Sequence, residues 1–159
     1  MTHRQLFFQH VAQTTDFPLA IEIDRAEGIY LHGPHGETYL DLISGIGVSN
    51  IGHRHPAVLA AIQTQLDKYL HLMVYGEYVQ EPQAQLAHAL IGTLNEATTA
   101  HGPINNVYFT NSGAEAIEGA MKVAKRFTGR TGLVACHNAY HGSTHGALSL
   151  SGDENFKRN

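Results

Sequence analysis

Apolar positions along this chain change period several times, and each change predicts an element. Leu6, Phe7, Phe8 and Val11 are spaced for a short amphipathic helix that ends before Pro18. Between residues 19 and 43 the period shortens. Leu19 to Ile23 alternates in part, Gly28 to Leu31 forms a second short run, and Thr38 to Ile43 a third. Gly33-Pro34-His35-Gly36 separates the last two as a turn, so the segment predicts a β-meander. Helical spacing returns at Pro56, a residue suited to the first position of a helix. Val58, Leu59, Ile62, Leu66, Tyr69 and Leu70 make one apolar stripe there. An irregular aromatic stretch with Tyr75 and Tyr78, read as packing residues, leads to a second helix opened by Pro82. Leu86, Ala89, Leu90 and Leu94 would face inward on it, and Asn95 to Pro103 reads as a polar surface loop.

The most structured stretch follows. Val107, Tyr108 and Phe109 predict a buried strand over 105–110. Ser112 is a good N-cap, and Glu115 three residues on completes the sequence pattern of a capping box. Ile117, Ala120, Met121, Ala124 and Phe127 then share one helical face, Glu118 and Lys122 are spaced for an ion pair, and Gly129 is placed to stop the helix. Thr131 to Cys136, apolar at Leu133, Val134 and Ala135, predicts the next strand. Strand, helix and strand make a βαβ unit, so the expected fold class is α/β, part of a mainly parallel sheet flanked by helices. Two such strands are too few for a stable sheet. The chain is therefore expected to be the N-terminal part of something longer, or to need a partner that completes its core.

Composition narrows the field. With 159 residues and 43% hydrophobic content, the chain fits about one domain with a real core. A net charge of -4 argues against a nucleic-acid-binding surface. The single cysteine, Cys136, excludes an internal disulfide, suits a reducing compartment, and reads as a small buried residue at a strand end. Met1 to Phe17 lacks the apolar core of a signal peptide, and no apolar run is long enough to span a membrane.

Two turns carry candidate chemistry. Ser112-Gly113-Ala114 sets a hydroxyl and unpaired backbone N–H groups at a helix N-terminus, a site that favours phosphate or carboxylate. Tyr140-His141-Gly142 lies just past the second predicted strand. Ligands of α/β sheets bind beyond the carboxyl ends of the strands, so both turns should face one crevice. A planar ring bearing a phosphate suits that arrangement. The glycine-rich connector from Ser44 to His53 lacks the full dinucleotide-binding pattern; it reads either as a flexible linker or as a loop lining a site. His137, His141 and His145 are spaced four apart, but Gly142 breaks the helix they would need, and no metal site is assigned. His53 and His55, flanking Arg54, read as hydrogen-bonding residues of a helix-entry turn.

Together these segments resemble the N-terminal portion of a class III aminotransferase, a pyridoxal-phosphate enzyme of fold type I. The resemblance is carried by Tyr39-Leu40-Asp41, Gly45-Ile46-Gly47-Val48, Gly52-His53-Arg54-His55-Pro56, Thr110-Asn111-Ser112-Gly113-Ala114-Glu115-Ala116 and Tyr140-His141-Gly142, in order from about residue 20 to the end. It implies that residues 1–45 belong to a small domain and 46–159 begin the large cofactor-binding domain. Ser112, Gly113 and Ala114 would hold the phosphate of pyridoxal 5'-phosphate, Tyr140 would stack on its ring, and His141 and Gly142 would shape that wall. Gly45, Ile46, Gly47 and Val48 would line the substrate entrance. A cytoplasmic homodimer passing an amino group from an amino acid or amine to a 2-oxo acid is implied. The Schiff-base lysine and the acid that pairs with the ring nitrogen would lie beyond this region, since Lys68, Lys122, Lys125 and Lys157 match no family lysine motif. The 159-residue chain alone is therefore expected to be inactive. Ser143 stands where ornithine-type members often carry a carboxylate-clamping arginine, which puts that substrate type in doubt. The alternative is a non-catalytic module that holds a phosphorylated ligand or only assembles with a partner.

Overall fold

A computed structural model describes residues 1–73, 76–97 and 102–157; Tyr75 and part of the expected 95–103 loop lie outside the described residues. The chain divides into two compact units, Met1–Tyr78 and Val79–Asn159.

In the first unit, helix α1 (His3–His10) opens on a complete capping box. Thr2 Oγ1 accepts the Gln5 N–H at 3.2 Å, and Gln5 Oε1 accepts the Thr2 N–H at 2.8 Å. The expected meander is present as three antiparallel strands, β1 (Arg25–Glu27), β2 (Tyr30–His32) and β3 (Thr38–Leu40). Register pairs Ala26 with Leu31 and Leu31 with Tyr39. The first strand is shifted from the predicted 19–23 to Arg25–Glu27, because it is these residues that find a ladder partner in β2. Gly33 to Gly36 makes the turn between β2 and β3, closed by the Gly33 N–H on Glu37 O at 2.9 Å.

The glycine-rich connector begins with a four-residue helical turn, α2 (Ser44–Gly47), wound left-handed. Ser44, Gly45, Ile46 and Gly47 have φ of 50, 59, 62 and 76°. Asp41 holds its entrance. Its Oδ1 accepts the Ser44 N–H at 2.8 Å and the Ile43 N–H at 3.1 Å, and its Oδ2 takes His53 Nε2 at 2.7 Å. His53 exchanges backbone hydrogen bonds with Gly28 at 2.7 and 3.0 Å, so this histidine ties the sheet to the start of helix α3 (Pro56–Leu66). Pro56 is the first residue of α3, as its rigid φ suits.

The second unit holds helix α4 (Glu81–Ala97), an extended segment, helix α5 (Gly113–Thr128), helix α6 (His145–Leu150) and the short 3-10 helix η1 (Glu154–Phe156). α4 runs into the expected loop, and Asn95 then exchanges two side-chain hydrogen bonds with Ile104, at 2.8 and 2.9 Å. Gly129 ends α5 in the left-handed conformation, as its position predicts, with its N–H on Lys125 O at 2.9 Å.

Three expectations are corrected. Residues 105–110 and 131–136 are not strands: among the described residues neither pairs with a neighbouring strand, and a strand exists only where a neighbour completes its ladder. The parallel sheet is thus not formed by the described residues, whose one sheet is the antiparallel meander. The helical stripes are also not buried. Leu59 and Ile62 of α3, Leu86 and Leu90 of α4 and Phe127 of α5 are exposed, and among the described residues Ala147 is the one fully buried apolar side chain. These stripes have the right period, but the apolar surface they would pack on is not supplied. For the same reason Cys136 is exposed rather than buried.

Candidate functional site

The N-terminus of α5 is the polar end of the site. Ser112 is the N-cap, extended at φ -154°, and its Oγ accepts the Glu115 N–H at 3.1 Å. The expected capping box is only half formed. Glu115 does not return to the Ser112 N–H; its Oε2 takes the Asn111 N–H at 2.8 Å and Asn111 Nδ2 at 3.2 Å. The Ser112 N–H is thereby left without a hydrogen-bond acceptor among the described residues, as are the first-turn N–H groups of Gly113 and Ala114. The Ser112 hydroxyl, having accepted one bond, retains its own proton to donate. Gly113 opens the approach, since a Cβ there would meet no atom within 4 Å. Donors without acceptors at the positive end of a sixteen-residue helix are suited to an anion.

The opposite wall comes from the segment before α6. Ser112, Gly113, Ala114, Ala116 and Ile117 share one open crevice of about 720 Å³ with Tyr140, His141, Gly142 and Ser143. The structure therefore brings together all six residues that the sequence singled out around these two turns. Tyr140 is 66% exposed, its hydroxyl lies 3.2 Å from Ser143 Oγ, and its ring meets Phe156 edge-on at 6.1 Å. The His141 N–H donates to Ser151 Oγ at 3.1 Å, and Ser151 Oγ in turn donates to Ala147 O at 3.3 Å. Gly142 is buried against the start of α5. Its φ of 126° favours glycine, and a Cβ there would lie 2.6 Å from Ala114 Cβ.

Glu118, one turn into α5, fixes the far end of this wall. Its Oε1 accepts Thr144 Oγ1 at 2.6 Å and the N–H groups of Gly146 and Ala147 at 3.0 and 3.2 Å. These bonds, led by the Thr144 hydroxyl and assisted by the nearby His145 charge, hold the Glu118 carboxyl below its ordinary range against the opposing pull of desolvation. The sequence reading assigned Glu118 to Lys122 along the helix, and missed Thr144, Gly146 and Ser151. A serine after a short helix and a glycine at its second position are common features that flag nothing by themselves.

The remaining candidates fall elsewhere. Gly45, Ile46, Gly47 and Val48 form and follow α2 in the first unit, with the Ile46 side chain 92% exposed. His137, His141 and His145 do not come together as a metal-ligating group, nor does any other trio of His, Cys, Asp or Glu among the described residues. No described lysine lines the crevice, and Lys157 Nζ pairs with Glu154 at 3.4 Å.

Comparison with known proteins gives one consistent picture. The family model described as aminotransferase class-III matches residues 11–159. An acetylornithine aminotransferase of Lactiplantibacillus plantarum is 39% identical over 150 residues, covering 94% of this chain and 35% of that protein. One from Mycolicibacterium smegmatis is 45% identical over 126 residues, covering 79% and 30%. The taurine:2-oxoglutarate aminotransferase of Bifidobacterium kashiwanohense, solved with PLP and glutamate, superposes with a TM-score of 0.84 at 34% identity over 96% of this chain and 33% of that one. The chain thus spans about a third of the length of these three relatives.

Proposed function

Because the chain belongs to the class III aminotransferase family, we propose that it forms the phosphate-holding and ring-covering part of a pyridoxal-phosphate-dependent enzyme that moves an amino group from an amino acid or amine to a 2-oxo acid. The observation that supports this most is the shared crevice: unengaged N–H donors at Ser112 to Ala114 on one side and an exposed phenol ring at Tyr140 on the other. The residues fit the cofactor's chemistry. Its phosphate would take the Ser112 hydroxyl and the Gly113 and Ala114 amides, while the Tyr140 ring, with His141 and Gly142 beside it, would cover the heterocycle. When bound, the cofactor supplies an electron sink for carbon acids. This chain's residues contribute orientation: a dianion fixed at the helix dipole sets where the ring lies.

Ser143 bears on the substrate. Its hydroxyl is engaged with Tyr140, and no arginine or lysine lines the crevice among the described residues. A second carboxylate on the donor therefore finds no bidentate clamp here, and we read the donor as one that does not need it at this wall. Gly45 to Val48 are read as substrate-lining, supported by Ile46, a non-glycine residue held left-handed at φ 62°, a strained form that clusters at functional sites. We further read the whole protein as a cytoplasmic homodimer. The exposed apolar stripes of α3 and α4 support a subunit interface, and no described helix is long and apolar enough to cross a membrane.

Titrating 15N-labelled chain with 4-deoxypyridoxine 5'-phosphate, which carries the ring and phosphate but no aldehyde, tests the site. Expected are shifts of the Gly113 and Ala114 amides and of the Tyr140 ring protons. Ser112→Ala should weaken binding about tenfold or more, the worth of one hydrogen bond to a charged group. Shifts confined to other residues would refute the assignment.

A further inference from the structure

We infer that Glu118 is the positioning residue that sets the spacing between the anion-holding turn and the Tyr140 wall. It sits on the helix whose first turn would hold phosphate, and its carboxylate reaches across 26 to 29 residues of sequence to three donors at the start of α6. A solvent-facing glutamate on a helix ordinarily gains only a few tenths of a kcal/mol from a neighbour four residues on. Here one carboxylate oxygen takes Thr144 Oγ1 and two backbone amides instead. Thr144 occupies the N-cap position of α6 without capping it, so Glu118 does that task from another helix.

The fit is close. A side chain at Gly146 would run into the Glu118 carboxylate, and one at Gly142 would run into Ala114. The wall is thereby docked on α5 at two places, by contact at Ala114 and by charge at Glu118. Between them the link is continuous. Ala147, whose N–H is held by Glu118, offers its carbonyl to Ser151 Oγ, and Ser151 holds the N–H of His141, next to Tyr140. Ala147 and Ser151 are buried, at 0% and 1% exposure, so this link has little room to slacken. Losing the Glu118 bonds should let the 140–147 segment drift from the Ser112 turn while leaving that turn's own donors in place.

The ligand arm of the test rests on the cofactor reading; the exchange arm does not. In Glu118→Ala, amide hydrogen exchange at Gly146, Ala147 and His141 should rise about tenfold, with α4 amides unchanged as the folding control. Affinity for 4-deoxypyridoxine 5'-phosphate should fall about threefold to tenfold, the worth of one aromatic contact, while affinity for inorganic phosphate stays within about twofold. Glu118→Gln, which keeps the shape and one acceptor, should recover part of both effects. Parallel loss of both ligands, or unchanged exchange at the three amides, would overturn the inference. Wild-type chain that binds the two ligands equally would instead remove the cofactor reading, leaving exchange to decide the role of Glu118.

Discussion

A methyl group at position 142 has nowhere to go. It would sit 2.6 Å from Ala114 Cβ on a backbone whose φ of 126° already favours glycine. Gly142→Ala should therefore cost about 1–3 kcal/mol, read as a fall in the urea midpoint. Adding Ala114→Gly should return part of that loss, by removing the contact but not the backbone strain; full additivity of the two changes would show that the contact is not the cause. Ser112→Ala should cost about 1 kcal/mol through the lost cap, apart from its effect on ligand binding. At this scale the sequence was readable where one residue type has one job. Ser112 as N-cap, Gly129 as helix stop and Pro56 as helix start are local decisions made by φ and by a single hydrogen bond. The same approach failed for Glu115 and Glu118. A carboxylate accepts from any donor in reach, and the donors that won, Asn111 and Thr144 with its neighbours, were set by the backbone path and by tertiary approach. The capping box that did close, at Thr2 and Gln5, has a neutral side chain at the reciprocal position.

At the scale of elements, three carboxylates hold turns and helix starts together, and all three titrate below their ordinary range. Glu37 is held down by its own N–H and that of His35, Asp41 first by the Ser44 N–H and then by His53, and Glu118 first by Thr144. A carboxyl whose folded pKa is lowered adds stability that is fully present above its unfolded value and is lost as pH falls through the folded one. The unfolded values are 4.5, 3.8 and 4.5. The urea midpoint should accordingly be flat above about pH 5.5 and fall steadily below about pH 4.5. Asp41→Asn should flatten part of that fall; an unchanged acid slope would show that the Asp41 links to Ser44 and His53 contribute nothing. α2 makes the opposite kind of statement. Ile46 is β-branched, sits at φ 62° and leaves its side chain in solvent, so it costs backbone strain without burial in return. Ile46→Gly should raise the urea midpoint by the equivalent of about 1 kcal/mol. From the sequence this glycine-rich stretch reads as a flexible linker or a loop lining a site, not as a wound turn. That the isoleucine within it would be left-handed was not legible, because its own preference points the other way.

For the whole molecule, the legible and illegible parts separate by range. The β2–β3 hairpin was readable because its partners are adjacent in sequence and its turn is marked by Gly33 to Gly36, whereas the first strand, expected at 19–23, lies at Arg25–Glu27. The parallel sheet was an inference about distant partners, and residues 105–110 and 131–136 find none among those described. The proposed chemistry would divide in the same way. The residues that would bind and orient a phosphorylated ring lie within about thirty positions of each other, whereas an amine in reach of that ring is a long-range requirement. Lys122 and Lys125 lie on α5 about 14 and 18 Å along the axis from Gly113, at 1.5 Å per residue, beyond what a lysine side chain spans back to its N-terminus. The 159-residue chain should therefore bind the ring-phosphate ligand yet form no 2-oxoglutarate from L-glutamate and pyruvate above the rate of free pyridoxal 5'-phosphate. Turnover well above that rate, with one lysine of this chain labelled after borohydride reduction, would put the missing amine inside residues 1–159 and require a different geometry for the crevice.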